Sequence, residues 1–148
     1  MITHNLRQVR EALQKANKNV DEGARNARDE MMTALIQLSK ETIVGRRAKN
    51  ADGTWEKATA GQPPMNRTGN LRRSIRGEKY NIGFAKYEAI VGPTIIYGRA
   101  VELGGQYAPP SWRGTSAMKG FPYMAPAYAK FRLIAPAIVR KNLTISGK

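Results

Sequence analysis

The chain has 148 residues, 41% of them apolar and none of them cysteine. This length fits one domain with one modest core, and the lack of thiols excludes a disulfide framework, a thiolate zinc site and a cysteine nucleophile. The formal charge of +14 is unevenly placed: residues 1–43 hold seven Lys/Arg and six Asp/Glu (net +1), residues 44–148 eighteen and five (net +13).

A basic surface suits nucleic acid, an anionic membrane or an acidic protein partner. No uninterrupted apolar run approaches the ~20 residues of a membrane span. The start, MITHNLRQVREAL, lacks the apolar core of a signal peptide. A soluble cytoplasmic protein with no membrane partner is expected.

All eight prolines lie between Pro63 and Pro136, and Gly23 is the one glycine before Gly45. Residues 3 to about 43 therefore read as one long helix. Leu6, Val9, Leu13, Ala16, Val20, Gly23 and Ala27 follow steps of three and four, the heptad spacing of a helix seam. The series then slips to Met31 and continues through Ala34 and Leu38. Roughly 40 residues at ~1.5 Å each give a rod of about 60 Å, longer than a compact domain of this size. Part of the seam should meet another subunit. The alternative is a break near Gly23 with the chain folded back.

Residues 44–70 form a long connection in which Asp52-Gly53 suits a short hairpin turn, with arms at 47–49 and 54–56. LRRSIRGEKYNIG and AKYEAIVG then predict an antiparallel hairpin around Asn81–Gly83. Tyr87, Ala89 and Val91 share one face, and Lys86, Glu88 and Ile90 the other. Gly92-Pro93 ends the second strand, and IIYGRAVELGG after it is open between strand and helical turn. Residues 104–121 form a second long loop. A C-terminal helix starts near Pro126, with Met124, Ala127, Phe131, Ile134 and Ile138 on one face. Pro136 predicts a kink or break near Arg132. The expected fold is α+β in a single domain: a long N-terminal helix over 1–43, then a body over 44–148 with a small antiparallel sheet, a C-terminal helix and the loops 44–70 and 104–121.

Catalytic constellations are hard to assemble. His4 is the sole histidine, the acids are scattered, and neither a Walker pattern nor GxGxxG occurs. The expectation is a non-enzymatic protein with no metal, cofactor or small-molecule substrate.

Four short motifs stand in order: TGNLRRSI at 68–75, VGP at 91–93, YGRAVELG at 97–104 and FPYMAPAY at 121–128. Together they resemble the tail-component family of Hong Kong 97-like phages, over about residues 64–135. Gly69, Leu71, Ser74 and Ile75 match its first motif, and Val91 and Gly92 its strand end. Tyr97, Val101, Glu102 and Gly104 match the third motif, and Pro122, Tyr123, Pro126 and Ala127 the last. Gly98 stands where alanine is common in the family, Leu103 replaces an aromatic residue, and the 104–121 stretch is long. The resemblance implies a non-catalytic virion protein of the neck or upper tail, assembled in the bacterial host cytoplasm. It would act in tail completion or head–tail joining as a homo-oligomeric ring, expected to be hexameric, among other phage neck and tail proteins and with DNA passing through. A tail terminator of the same virion is the nearest alternative.

Gly69 and Gly104 are expected to take backbone angles closed to other residues, and Leu71, Ile75, Val91 and Val101 to be core residues of the sheet. Glu102 lies in an apolar segment, where a carboxylate needs a partner; Arg72, Arg73 and Arg99 are the candidates. Leu6, Val9, Leu13, Val20, Met31 and Leu38 form the candidate subunit interface, joined by Trp55 and Trp112, each either a lid on its own core or an anchor for a neighbour. Arg46, Arg47, Lys49, Arg67, Arg72, Arg73 and Arg76 are the densest basic stretch, for DNA, for an acidic neighbouring ring or simply solvated. A free basic nucleic-acid-binding module is the competing reading, although no recognisable DNA- or RNA-binding motif accompanies the charge.

Overall fold

The computed structural model describes residues 2–43, 51–53, 59–64, 68–107 and 119–145. Helix α1 spans Ile2–Thr42, α2 Asn70–Ser74, strand β1 Ile75–Gly83, β2 Lys86–Pro93, α3 Gly98–Leu103 and α4 Met124–Ile145, with a 3-10 turn at Gly105–Tyr107. The fold is α+β and mostly helical, as the order of periodic segments predicted. Helix α1 runs through Gly23 without a break, so the folded-back alternative is not adopted.

Among the described residues the sheet has two antiparallel strands, with Gly77 opposite Val91, Lys79 opposite Ala89 and Asn81 opposite Tyr87. Its inner face lies on the C-terminal half of α1. Gly77 permits that approach: a Cβ there would stand 2.5 Å from the Met32 sulfur. The hairpin turns at Phe84–Ala85, beyond the predicted Asn81–Gly83, and β1 carries a register shift between Asn81 and Gly83. Ala85 takes a left-handed φ of 51°, held by its N–H donating to the Asp21 carboxylate on α1 at 2.9 Å. A contact 64 residues away thus overrides the local turn signal at Asn81.

Helix α4 packs antiparallel against the same half of α1. Its start meets the α1 end in a core of Ile43, Ile75 and Tyr123, joined by Ile36, Leu71, Val91, Val101 and Met124. Its far end reaches Glu30 through Lys141 and Asn142, each at 2.9 Å. It continues through Pro136, so the break near Arg132 does not occur. Its buried positions include Ala127 and Ile138, whereas Ile134, placed on that face from sequence, is 41% exposed. Leu71 and Val101 do reach the core, but from short helices and not from strands.

Candidate functional site

The four motifs converge on Tyr123, which is fully buried. Its hydroxyl donates to the Gly98 carbonyl at 3.2 Å, and burial pushes its ionisation well above the usual tyrosine range, helped by the Glu102 charge. A Cβ on Gly98 would lie 2.5 Å from the Pro93 ring. That crowding accounts for glycine where the resemblance expects alanine. Ser74 is buried with its hydroxyl satisfied by the Leu71 carbonyl at 2.7 Å, and its own carbonyl accepts the Thr94 N–H at 3.0 Å. Gly69 and Gly104 have φ of 78° and 108°, as expected. Tyr97 and Gly92 are half-buried, as are Pro122 and Pro126, and Ala127 is fully buried. These residues build a scaffold, and Ser74 also lines an open, shallow depression with Asn70, Arg73, Arg76, Thr94 and Ile95.

Glu102 departs from expectation. Its carboxylate accepts the backbone N–H groups of Tyr123 at 2.7 Å, Met124 at 2.9 Å and Ala125 at 2.9 Å. The first turn of a helix leaves such donors without intrahelical partners, and its partial positive charge favours an anion. Glu102 therefore caps α4 from α3, where the sequence suggested a guanidinium partner. Arg73, one of the proposed partners, donates instead to the Thr68 carbonyl and to Asn70 Oδ1 at 3.0 and 2.7 Å. The cap joins groups 21 to 23 residues apart, so no short-range motif reveals it.

Polar contacts that sequence reading missed attach α1 to the hairpin. Arg28, 8% exposed, donates to Asn81 Oδ1 at 3.1 Å and to Asp29 at 2.8 Å, and its guanidinium lies 5.0 Å over the Tyr87 ring. Lys79 Nζ reaches the other Asp29 oxygen at 3.0 Å. Partial burial pulls the Asp29 ionisation up, but the bonds from Lys79 and Arg28 outweigh it and leave it below the usual range. Asp21 is held low by the Ala85 N–H first and the Tyr87 hydroxyl second, and Glu30 by Asn142 and then Lys141.

The candidate interface residues divide at Asp21. Met31 and Leu38 are half-buried against the body, and the small seam residues Gly23 and Ala27 are buried. Leu6, Val9, Leu13 and Val20 are 64%, 52%, 59% and 46% exposed, and residues 6–18 are exposed throughout. Four of the seam's six large apolar side chains are thus uncovered. The outer side of the hairpin also leaves Tyr80, Ile82 and Ile90 in solvent.

Of the basic stretch, Arg72, Arg73 and Arg76 are exposed. Arg46, Arg47, Lys49 and Arg67 lie outside the described residues, with Trp55, Trp112 and the arms of the predicted 47–56 hairpin. Gly53 stands in a turn at φ 82°. Among the described residues no group of three His, Asp or Glu could hold a metal ion, and no helix is long and apolar enough to cross a membrane. Compared with known proteins, the chain matches no family model, no curated protein and no solved structure.

Proposed function

We propose that this chain is a structural, non-enzymatic subunit of a tailed bacteriophage virion, assembling with identical copies into a ring at the neck or upper tail, in tail completion or head–tail joining. The observation that carries the reading is the uncovered half of α1. Nineteen residues, 2–20, extend past the hairpin tip, about 28 Å at ~1.5 Å per residue, and they hold four of the seam's six large apolar side chains. Burying a leucine or valine contributes about 1.5–3 kcal/mol, so leaving four of them in water is costly unless another surface covers them. The phage assignment itself comes from the resemblance of residues 64–135, whose motif positions here form a connected scaffold. A terminator role in the same virion has the same support.

Light scattering on the purified chain, alone and with neck proteins, tests the ring. Microscopy of purified virions tests the location. Rings, or density for this chain at the neck, support the proposal; its absence from virions refutes it. The exposed Arg72, Arg73 and Arg76 favour DNA contact as a second reading. Tight, sequence-dependent DNA binding at moderate salt by the free chain would favour that reading, whereas binding lost between low and moderate salt reports phosphate contact only.

A further inference from the structure

We propose that the uncovered N-terminal half of α1 seats on the outer face of the β1–β2 hairpin of the next copy. Each hairpin would then be sandwiched between two helices, one from its own chain and one from its neighbour. This rests on the ring reading above and names the surfaces that would form it.

Four observations favour this occupant. First, strand alternation directs Gly77, Lys79, Tyr87, Ala89 and Val91 toward α1 and leaves Glu78, Tyr80, Glu88 and Ile90 on the opposite side, with Ile82 and Phe84 exposed near the tip. The helix on the inner face gives the two strands the support they need in water, and the outer face keeps Tyr80, Ile82 and Ile90 exposed. Second, α1 is unbroken from Ile2 to Thr42 and already occupies the inner face, so its free half cannot double back over its own hairpin. Third, the lengths agree: 19 free helical residues span about 28 Å, and nine residues of β1 at ~3.3 Å each span about 30 Å.

Fourth, the charges suit this pairing and oppose the obvious rival. Residues 2–20 carry Arg7, Arg10, Lys15 and Lys18 against Glu11, net +3, so two such rods packed side by side repel each other. The centre of the outer hairpin face carries Glu78 and Glu88 beside Tyr80 and Ile90, with Arg76 and Lys86 at its two ends. On a body that is otherwise strongly basic, this centre is a suitable seat for a basic rod. Rod and hairpin face are unlike patches, so the contact is head-to-tail and closes into a ring when the rotation permits.

The chain has no native thiol, which makes cross-linking clean. Full-length Leu13→Cys and Ile90→Cys proteins, both changed at exposed positions and checked for wild-type circular dichroism, are mixed in equal amounts and treated with a short bis-maleimide. The expected product is the mixed 13–90 dimer in several-fold excess over 13–13 dimers. Glu88→Lys should raise the dissociation constant at least tenfold, and adding Arg10→Glu should restore it in part. Oligomers that yield mainly 13–13 dimers, or no 13–90 product, overturn this pairing and leave the ring reading standing. A chain that stays monomeric at its highest soluble concentration and yields no 13–90 product overturns the pairing and removes the ring's self-assembly with it.

Discussion

Replacing Glu102 tests the cap that ties α3 to α4. In Glu102→Ala the N–H groups of Tyr123 and Met124, both part-buried, lose a charged acceptor, whereas that of Ala125 is exposed and recovers water. Hydrogen bonds to charged groups contribute about 1.5–3 kcal/mol each, so the two part-buried bonds imply a loss of about 3 kcal/mol. For a chain of this length each kcal/mol shifts the melting temperature by about 2–4 °C, giving a drop of about 6–12 °C. Glu102→Gln keeps one acceptor oxygen but removes the charge that complements the helix N-terminus, and should lose about 1–2 kcal/mol. Thermal melts followed by circular dichroism, with calorimetry for the enthalpy, measure both. Arg72→Ala provides the contrast: a partnered arginine would reproduce the glutamate loss, whereas a cap predicts a change within about 0.5 kcal/mol. A Glu102→Ala protein that melts within about 0.5 kcal/mol of wild type refutes the argument.

Gly77→Ala should destabilise by about 1–3 kcal/mol because the new methyl meets the Met32 side chain; Met32→Ala in the same chain should return part of that loss in denaturant titrations. Pro136→Ala should stabilise by about 2 kcal/mol, since Pro136 is exposed inside a continuous helix and lacks the N–H that would bond Arg132; a lower melting point would show that α4 needs the imino acid. Asp21, Asp29 and Glu30 all ionise below their ordinary values of 3.8 and 4.5 when folded, so their contribution is complete above those values and is lost as pH falls through the lower, folded ones. Acid titration should unfold the chain below about pH 4, less steeply in Asp29→Asn. Tyr123 has the opposite sign: its raised ionisation makes stability fall as pH rises above about 10, and Tyr123→Phe should flatten that limb.

What the sequence made legible follows the range of the forces involved. Helix α1 was readable from forty residues without proline and a three–four apolar rhythm, both local properties. Gly69 and Gly104 were readable because a left-handed angle selects glycine at the position itself. The alternation of Tyr87, Ala89 and Val91 assigned the inner face of β2. The hairpin tip was misplaced because an ordinary residue, Ala85, adopts the left-handed angle with help from Asp21 on another element. Glu102 was singled out correctly as a carboxylate needing a partner. Its partner was missed because it is a set of backbone donors on a helix that the chain reaches only after the 104–121 stretch. Arg28, Asp29 and Lys79 gave no sequence signal, since their meeting depends on how a strand lies along a helix.

The Glu102 cap also gathers the two ends of that stretch into one spot. The Phe121 N–H donates to the Val101 carbonyl at 2.7 Å, the Gly104 N–H to Ala100 at 2.9 Å, and Gly120 presses so closely on the Glu102 carbonyl that a Cβ would stand 2.6 Å from it. The polypeptide thus departs from and re-enters the body through one clasp, so that a side chain added at Gly120 would disturb the end of α3 and the entry to α4 together.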